Sequence, residues 1–207
     1  MDMSAASSPG RRAFDIAAAA LLLAVLAPFL LLGSLIVLIA SGRPIFYAQE
    51  RLGLRGTSFR CLKLRTMTID AEQHLHREPA LRDRYLNGGF KLPNGSDPRV
   101  TRPGRWLRRT YIDELPQLFN VLAGSMSLVG PRPIVPSELR EYGAEADELL
   151  LVKPGLIGEW TSRGRRRPEY PERARLELDY VRRRTPARDL VILARSIPVV
   201  LRGQDDT

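Results

Sequence analysis

The sequence predicts a mainly α-helical, membrane-attached chain with one small β-hairpin. Three observations predict it. Ala13–Ala40 is apolar except for Asp15, Gly33 and Ser34. Aromatic and branched residues flank a Gly-containing turn in the stretch 45–64. The rest alternates charged, helix-periodic stretches with loops rich in Gly and Pro.

The apolar segment admits three readings. A cleaved signal peptide has an apolar region of roughly 7–15 residues, and this run is longer. A straight spanning helix needs about 20 apolar residues, and Ile16–Ala40 supplies 25. The third is a re-entrant helix, broken at Pro28, that enters and leaves the bilayer by one face. Proline removes a helix hydrogen bond and crowds the preceding turn. Ile16–Ala27 and Phe29–Ala40 would each be roughly 18 Å long, too short for a hydrocarbon core of about 30 Å. Arg11 and Arg12 precede the segment and Arg43, Arg51 and Arg55 follow it. Positive flanks favour the cytoplasmic side, so two such flanks favour the hairpin, although proline also occurs in spanning helices. The expected organisation is a membrane element over residues 1–42 and a cytoplasmic domain over 43–207.

The elements of that domain follow in order. Arg43–Tyr47 and Phe59–Leu64 flank the Gly53 and Gly56 turn as the two arms of a hairpin. Asp70–Tyr85 is a charged helix interrupted near Pro79. Gly88–Pro98 is a loop. Arg105–Leu122 reads as a helix with Pro116 inside it. Gly124–Pro136 is a Gly/Pro-punctuated loop, and a helix starts at Pro136. Pro154-Gly155 opens a loop containing Trp160. Glu169–Arg184 is a helix of mixed charge. Asp189–Leu201 is apolar, closes with Pro198 and suits an amphipathic helix at the membrane interface.

Charge narrows the partners. The formal net charge is +9, and residues 1–40 contribute nothing to it because Asp2 and Asp15 balance Arg11 and Arg12. A basic domain beside an apolar segment suits anionic lipid, phosphate-bearing substrates or nucleic acid. Cys61 is the single cysteine, so an internal disulfide is excluded, and its strand-like setting suggests a buried structural thiol. His74 and His76 are the only histidines and sit in a charged helix, which argues against a histidine-based triad. Walker, GxGxxG, HExxH and paired-cysteine zinc patterns are absent.

Two stretches could carry chemistry. In Arg108-Arg109-Thr110-Tyr111-Ile112-Asp113-Glu114, two carboxylates follow two arginines by about one helical turn. Spacing alone also fits a salt-bridged helix face. The functional reading makes Asp113 a nucleophile or metal ligand beside phosphate-gripping arginines. Attack on an anionic diphosphate needs a cation to screen the approach, and Mg²⁺ suits a site of few carboxylates. In Gly130-Pro131-Arg132-Pro133 the prolines stiffen the chain around one arginine, either as a turn with a solvated Arg or as a rigid phosphate contact.

Together these residues resemble the bacterial sugar transferase family, the monotopic phosphoglycosyl transferases. The resemblance is carried by Asp113-Glu114-Leu115-Pro116-Gln117-Leu118-Phe119-Asn120-Val121-Leu122, Gly124 and Met126–Pro133. It extends to Lys63-Leu64-Arg65-Thr66-Met67, to Asp97-Pro98-Arg99-Val100-Thr101 through Arg108, and to Pro154-Gly155-Leu156 with Trp160 and Gly164-Arg165. It covers nearly the whole chain. Because the chain starts at its apolar segment, it looks like the short form of the family. Departures are Ala27 where Ser is frequent, Tyr111 two before the nucleophile position, and Ile157, Thr161, Ser162 and Arg163 near Trp160.

The resemblance implies an Mg²⁺-dependent enzyme at the cytoplasmic face of the bacterial inner membrane. It would move a sugar-1-phosphate from a UDP-sugar to polyprenyl phosphate and release UMP, as the first membrane step of exopolysaccharide, O-antigen, capsule or glycoprotein glycan synthesis. Asp113 would be the nucleophile and carry the phosphosugar covalently, with Glu114 at the metal or as base. Arg108, Arg132, Lys63, Arg65, Pro131, Pro133, Trp160 and Arg165 would line the phosphate and substrate site. Pro28 would mark the membrane break. The competing expectation is a membrane-tethered basic module, because residues 163–189 hold ten Arg against five acids. Such a module would bind nucleic acid or another anionic partner in a salt-sensitive way. The interleaved acids argue for a solvated helix, and no nucleic acid partner is expected.

Overall fold

The computed structural model describes residues 8–88, 90, 92, 95–163 and 168–203. Helix α1 (Pro9–Ser41) starts at Ser8, whose side chain accepts from the Arg11 amide, and runs to Gly42. It is long and apolar enough to cross a membrane, and only 11% of its most apolar window is buried. Leu21, Val25, Phe29, Leu31 and Ile39 all lie exposed along it. Pro28 lies within the helix and does not divide it into two elements.

Strands β1 (Phe46–Leu52) and β2 (Ser58–Leu64) form the expected antiparallel hairpin, in register from Phe46↔Leu64 to Leu52↔Ser58. The charged stretch that follows folds as α2 (Ala71–Arg77) and α3 (Pro79–Asn87), divided at Glu78 before the proline. The single helix expected over 105–122 is instead α4 (Arg102–Arg109), a 3₁₀ turn (Ile112–Glu114) and α5 (Gln117–Ala123). The Thr110 hydroxyl bonds back to the Trp106 and Leu107 carbonyls and closes α4. Tyr111 then adopts a left-handed φ of 59° and turns the chain, and Pro116 sits at the start of α5, where its missing N–H costs nothing. The loop expected over 124–136 contains a short strand, β3 (Ser127–Val129), paired in parallel with β4 (Gly155–Ile157). After a 3₁₀ segment (Pro136–Glu145) come α6 (Ala146–Leu149), α7 (Glu172–Arg182) and α8 (Pro186–Arg202).

The main core joins β2, α5, β3 and α7 through Cys61, Leu118, Val121, Leu128 and Tyr180. Asn120 on α5 ties into the hairpin, accepting from the Leu62 amide at 2.9 Å and donating to the Arg60 carbonyl at 2.8 Å. It supplies the free edge of β2 with partners that a third strand would otherwise give.

Both ends of α1 dock on this one domain. Near its start, Asp15 accepts from the Ser127 hydroxyl at 2.8 Å and the Leu128 amide at 3.1 Å. Arg12 donates to the Val121 and Leu122 carbonyls at the end of α5, while Arg11 donates to Val129 and pairs with Asp189. These arginines, read from sequence as membrane flanks, are also structural clamps. Near the other end, Gly33 lies against Ile112, Leu64 and Leu107, where an added Cβ would come within 2.7 Å of the Ile112 side chain.

Gly104 has the tightest sequence requirement on α4. A Cβ there would lie 2.1 Å from the Thr66 carbonyl oxygen, which is backbone and cannot swing aside. Gly104→Ala should therefore lower Tm in detergent by an amount equivalent to about 1–3 kcal/mol or more. Gly10→Ala, where nothing lies within 4 Å, should leave Tm unchanged or slightly raised. Equal melting of the two variants would show that α4 does not rest on Thr66 in solution.

Candidate active site

The turn Ile112–Glu114 carries the two carboxylates, and its position follows from local chemistry. Tyr111 reverses the chain after α4, and Ile112 is buried against Leu64, Leu107 and Val37. The next side chain, Asp113, therefore points inward and is only 5% exposed. Its Oδ1 is buried and has no hydrogen-bond partner among the described residues. Burial, followed by the neighbouring charge of Glu114, pushes the Asp113 carboxyl up to about 6, against the opposing pull of Lys63 and Arg108.

Glu114 turns the other way. Its Oε1 lies 2.8 Å from Lys63 Nζ on β2, and both side chains are about a quarter exposed. Arg108 is fixed from the opposite side, its Nε donating to Thr66 Oγ1 at 2.8 Å. The pair is thus not one salt-bridged helix face. One carboxyl is withdrawn from water and the other meets a lysine at the rim of a cleft.

That cleft is small and open to solvent, and it is lined by Arg51, Cys61, Lys63, Glu114, Gln117, Arg132, Pro133, Gly155, Leu156 and Trp160. Three cations against one carboxylate make it a site for anions. The Arg132 guanidinium lies 5.0 Å from the Trp160 ring centroid, and its segment is held by main-chain bonds. The Pro131 carbonyl accepts from the Gly155 amide at 2.8 Å, and the Pro133 carbonyl accepts from Arg51 at 2.9 Å. Burial pushes the Cys61 thiol up, so it stays protonated in the cleft wall and serves as packing.

The structure thus brings Lys63, Glu114, Arg132, Pro133 and Trp160 to one cleft. Asp113 and Arg108 do not line it: Asp113 adjoins it in the chain through Glu114, and Arg108 is held at Thr66. Arg65 lies elsewhere. It is buried, and its guanidinium caps the end of α1 by donating to the Ser41 carbonyl at 2.5 Å and the Gly42 carbonyl at 2.8 Å. Pro131 contributes its carbonyl to the sheet rather than a cleft surface. Arg165 lies outside the described residues. His74 pairs with Glu78 on the surface, and neither histidine lines the cleft. Sequence reasoning missed Arg51 and Gln117. Gln117 stood inside the motif that carried the resemblance, whereas Arg51 gave no signal beyond its charge.

The sequence matches the model of the bacterial sugar transferase family over residues 6–203. The chain belongs to that family. It is 39% identical over 196 residues to the UDP-galactose-lipid carrier transferase of Erwinia amylovora and 40% identical over 196 residues to the undecaprenyl-phosphate galactose phosphotransferase of Salmonella typhimurium. Each match covers 93% of this chain and 40% of the relative, so the chain spans about two-fifths of these proteins. Identity to the exopolysaccharide production protein ExoY of Rhizobium meliloti is 39% over 191 residues, covering 92% of this chain and 84% of that one. The shared stretch in this sugar transferase family member includes the whole cleft and the 3₁₀ turn.

The raised pKa of Asp113 has a stability consequence. The folded state binds more protons than the unfolded one between about pH 4 and about pH 6, so stability falls as pH rises through that window. The cost of the buried charge is complete above pH 6. In metal-free buffer at neutral pH, Asp113→Asn should stabilise the protein by about 1–3 kcal/mol, and the gain should fade towards pH 4. Thermal unfolding across that pH range measures this. A variant less stable than the parent at neutral pH would show that the carboxylate is already satisfied.

Proposed function

We propose that this protein transfers a sugar-1-phosphate from a UDP-sugar to polyprenyl phosphate and releases UMP. The observation that carries the reading is Asp113, a buried carboxyl with one oxygen unsatisfied among the described residues, next in the chain to Glu114 of a cation-lined cleft. The relatives named as galactose phosphotransferase and lipid carrier transferase support the donor and acceptor classes.

In the first step, an Asp113 carboxylate oxygen attacks the β-phosphorus of the donor. The bond from that phosphorus to the bridging oxygen breaks, and UMP departs with the electron pair. The phosphosugar is then held as an acyl phosphate on Asp113. In the second step, a phosphate oxygen of the polyprenyl carrier attacks the same phosphorus and returns Asp113 as a free carboxylate. Arg108, Lys63 and Arg132 hold the charge of the phosphates, and burial around Asp113 keeps water from the adduct. Gln117 on α5 gives the cleft a neutral polar contact.

The residues fit a divalent ion. Asp113 leaves an oxygen unpaired and Glu114 is adjacent, while no group of three or more His, Cys, Asp or Glu side chains gathers among the described residues. Such a site suits Mg²⁺, which uses one or two carboxylates and completes its shell with phosphate oxygens and water. When bound, it lowers the repulsion between the carboxylate and the diphosphate.

Membrane attachment is proposed through α1 over residues 1–42, at the cytoplasmic face of the inner membrane, with residues 43–207 as the catalytic part. The docking of both α1 ends on one domain supports a path that does not cross the membrane, because one domain cannot lie on both sides of a bilayer. The exposed Leu190, Val191, Ile197 and Leu201 of α8 suit contact with the lipid interface. Among the described residues of the stretch 163–189, the basic-module reading gains no support. Arg173, Arg182, Arg183 and Arg188 each pair with carboxylates.

Purified protein in nanodiscs should release UMP from at least one UDP-sugar when polyprenyl phosphate and Mg²⁺ are present. Asp113→Asn should lower the rate by about 10³-fold or more, and chelation should abolish it. An active Asp113→Asn variant would remove the assigned nucleophile. Single cysteines placed at positions 8 and 42 in a Cys61→Ala background should both react with an impermeant maleimide from the cytoplasmic side only. Labelling of the two positions from opposite sides would establish a straight crossing.

A further inference from the structure

The donor wall of the cleft rests on a helix that none of the motifs touches. On α7, Arg173 is 8% exposed and lies between two rings, its guanidinium carbon 5.5 Å from the Trp160 centroid and 4.9 Å from the Tyr170 centroid. Trp160 in turn carries Arg132 at 5.0 Å. Tyr170, Arg173, Trp160 and Arg132 thus form a series of alternating rings and guanidiniums that ends in the cleft.

Two buried carboxylates hold this series. Glu177 is 1% exposed; its Oε1 accepts from Arg173 Nε at 3.2 Å and lies 3.4 Å from the Arg132 backbone amide. Its Oε2 accepts from the Tyr142 hydroxyl. Glu138 lies 3.6 Å from Arg173 Nη2 and accepts from Arg51 at 3.2 Å and Tyr170 at 3.0 Å. These carboxylates hold Arg173 charged, against the cost of its burial. Arg173 Nη2 has no hydrogen bond within 3.5 Å among the described residues, so Glu177, the nearby charge of Glu138 and the two rings set its orientation. Arg132, by contrast, makes no ion pair among the described residues and faces the cleft.

We propose that Arg173 is a positioning residue for the donor: it fixes the Trp160 ring so that Trp160 sets the direction of the Arg132 guanidinium towards the nucleotide phosphates. The proposal rests on the function given above. A planar guanidinium can lie along a ring while also pairing with a carboxylate, and lysine cannot reproduce both. Arg173→Lys keeps the charge opposite Glu177 and Glu138 and loses the plane against Trp160.

Arg173→Lys should raise KM for the UDP-sugar roughly 5–30-fold while kcat and KM for polyprenyl phosphate change less than about 3-fold. Trp160→Leu should act similarly, and Arg173→Lys should add nothing in that background. A second arm needs no activity. With Trp106→Phe, Trp160 is the sole tryptophan. Its acrylamide quenching should then rise about 2-fold or more on Arg173→Lys, as a loosened ring gains solvent contact. If Arg173→Lys does not fold, the charge-neutral pair Arg173→Met with Glu177→Gln serves in both arms. Additive effects of Arg173→Lys and Trp160→Leu, parallel losses for donor and acceptor, or unchanged quenching would each overturn the proposal. If the parent protein releases no UMP from any UDP-sugar, the function reading fails, and the quenching arm alone judges the link from Arg173 to Trp160.

Discussion

A carboxyl group kept out of water with one oxygen unsatisfied is costly to hold in a folded protein, and the surroundings of Asp113 are arranged around that cost. Lys63 and Arg108 offset part of it through space, while Glu114 adds to it. Within the turn, the backbone of Asp113 itself hydrogen-bonds its carboxyl and offsets a further part. Tyr111 sits in a left-handed conformation that costs an ordinary residue about 1 kcal/mol or more. The turn persists because α4, β2 and α1 all pack on it. The apolar helix is part of that support: Ile112 precedes Asp113 and lies directly under Gly33 of α1. Attachment to lipid and construction of the site therefore share one contact.

The opposite wall solves a different problem. Glu138 and Glu177 are buried charges, and either would be unfavourable alone. Arg51, Arg173 and the hydroxyls of Tyr142 and Tyr170 satisfy them, and the resulting network fixes the segment Pro131–Pro133 from behind. Networks of this kind contribute little net stability compared with an apolar core, but they allow one arrangement of their members. Arg132 benefits, since its backbone is anchored while its guanidinium remains without a carboxylate partner among the described residues.

Much of the architecture was legible. The hairpin could be read because alternating side chains flank a Gly turn. The division of the charged stretch at Pro79 could be read because proline disfavours helix in the residue before it. Asp113, Glu114, Lys63, Arg132 and Trp160 could be nominated as one group through the family resemblance. The helix expected over 105–122 failed because apolar spacing does not register a single left-handed residue. Strand β3 was missed because a three-residue parallel strand leaves no periodic trace and exists only through its pairing with β4. Arg65 was read as a substrate contact, yet nothing local reveals that the carbonyls at the end of α1 come within its reach.

By itself the sequence determined the membrane-length apolar helix, the hairpin, the excess of positive charge and the residue types able to carry phosphate chemistry. Those properties depend on composition and short-range spacing. Tertiary structure alone decided that Asp113 faces inward and Glu114 outward, that Arg11, Arg12 and Arg65 clamp α1, and that Arg51 lines the cleft while Arg173 stands behind Trp160. Each of these depends on contacts between residues distant in the chain. Burial, which separates two adjacent carboxyls into different chemical states, is a property of the packed whole and not of the residues in order.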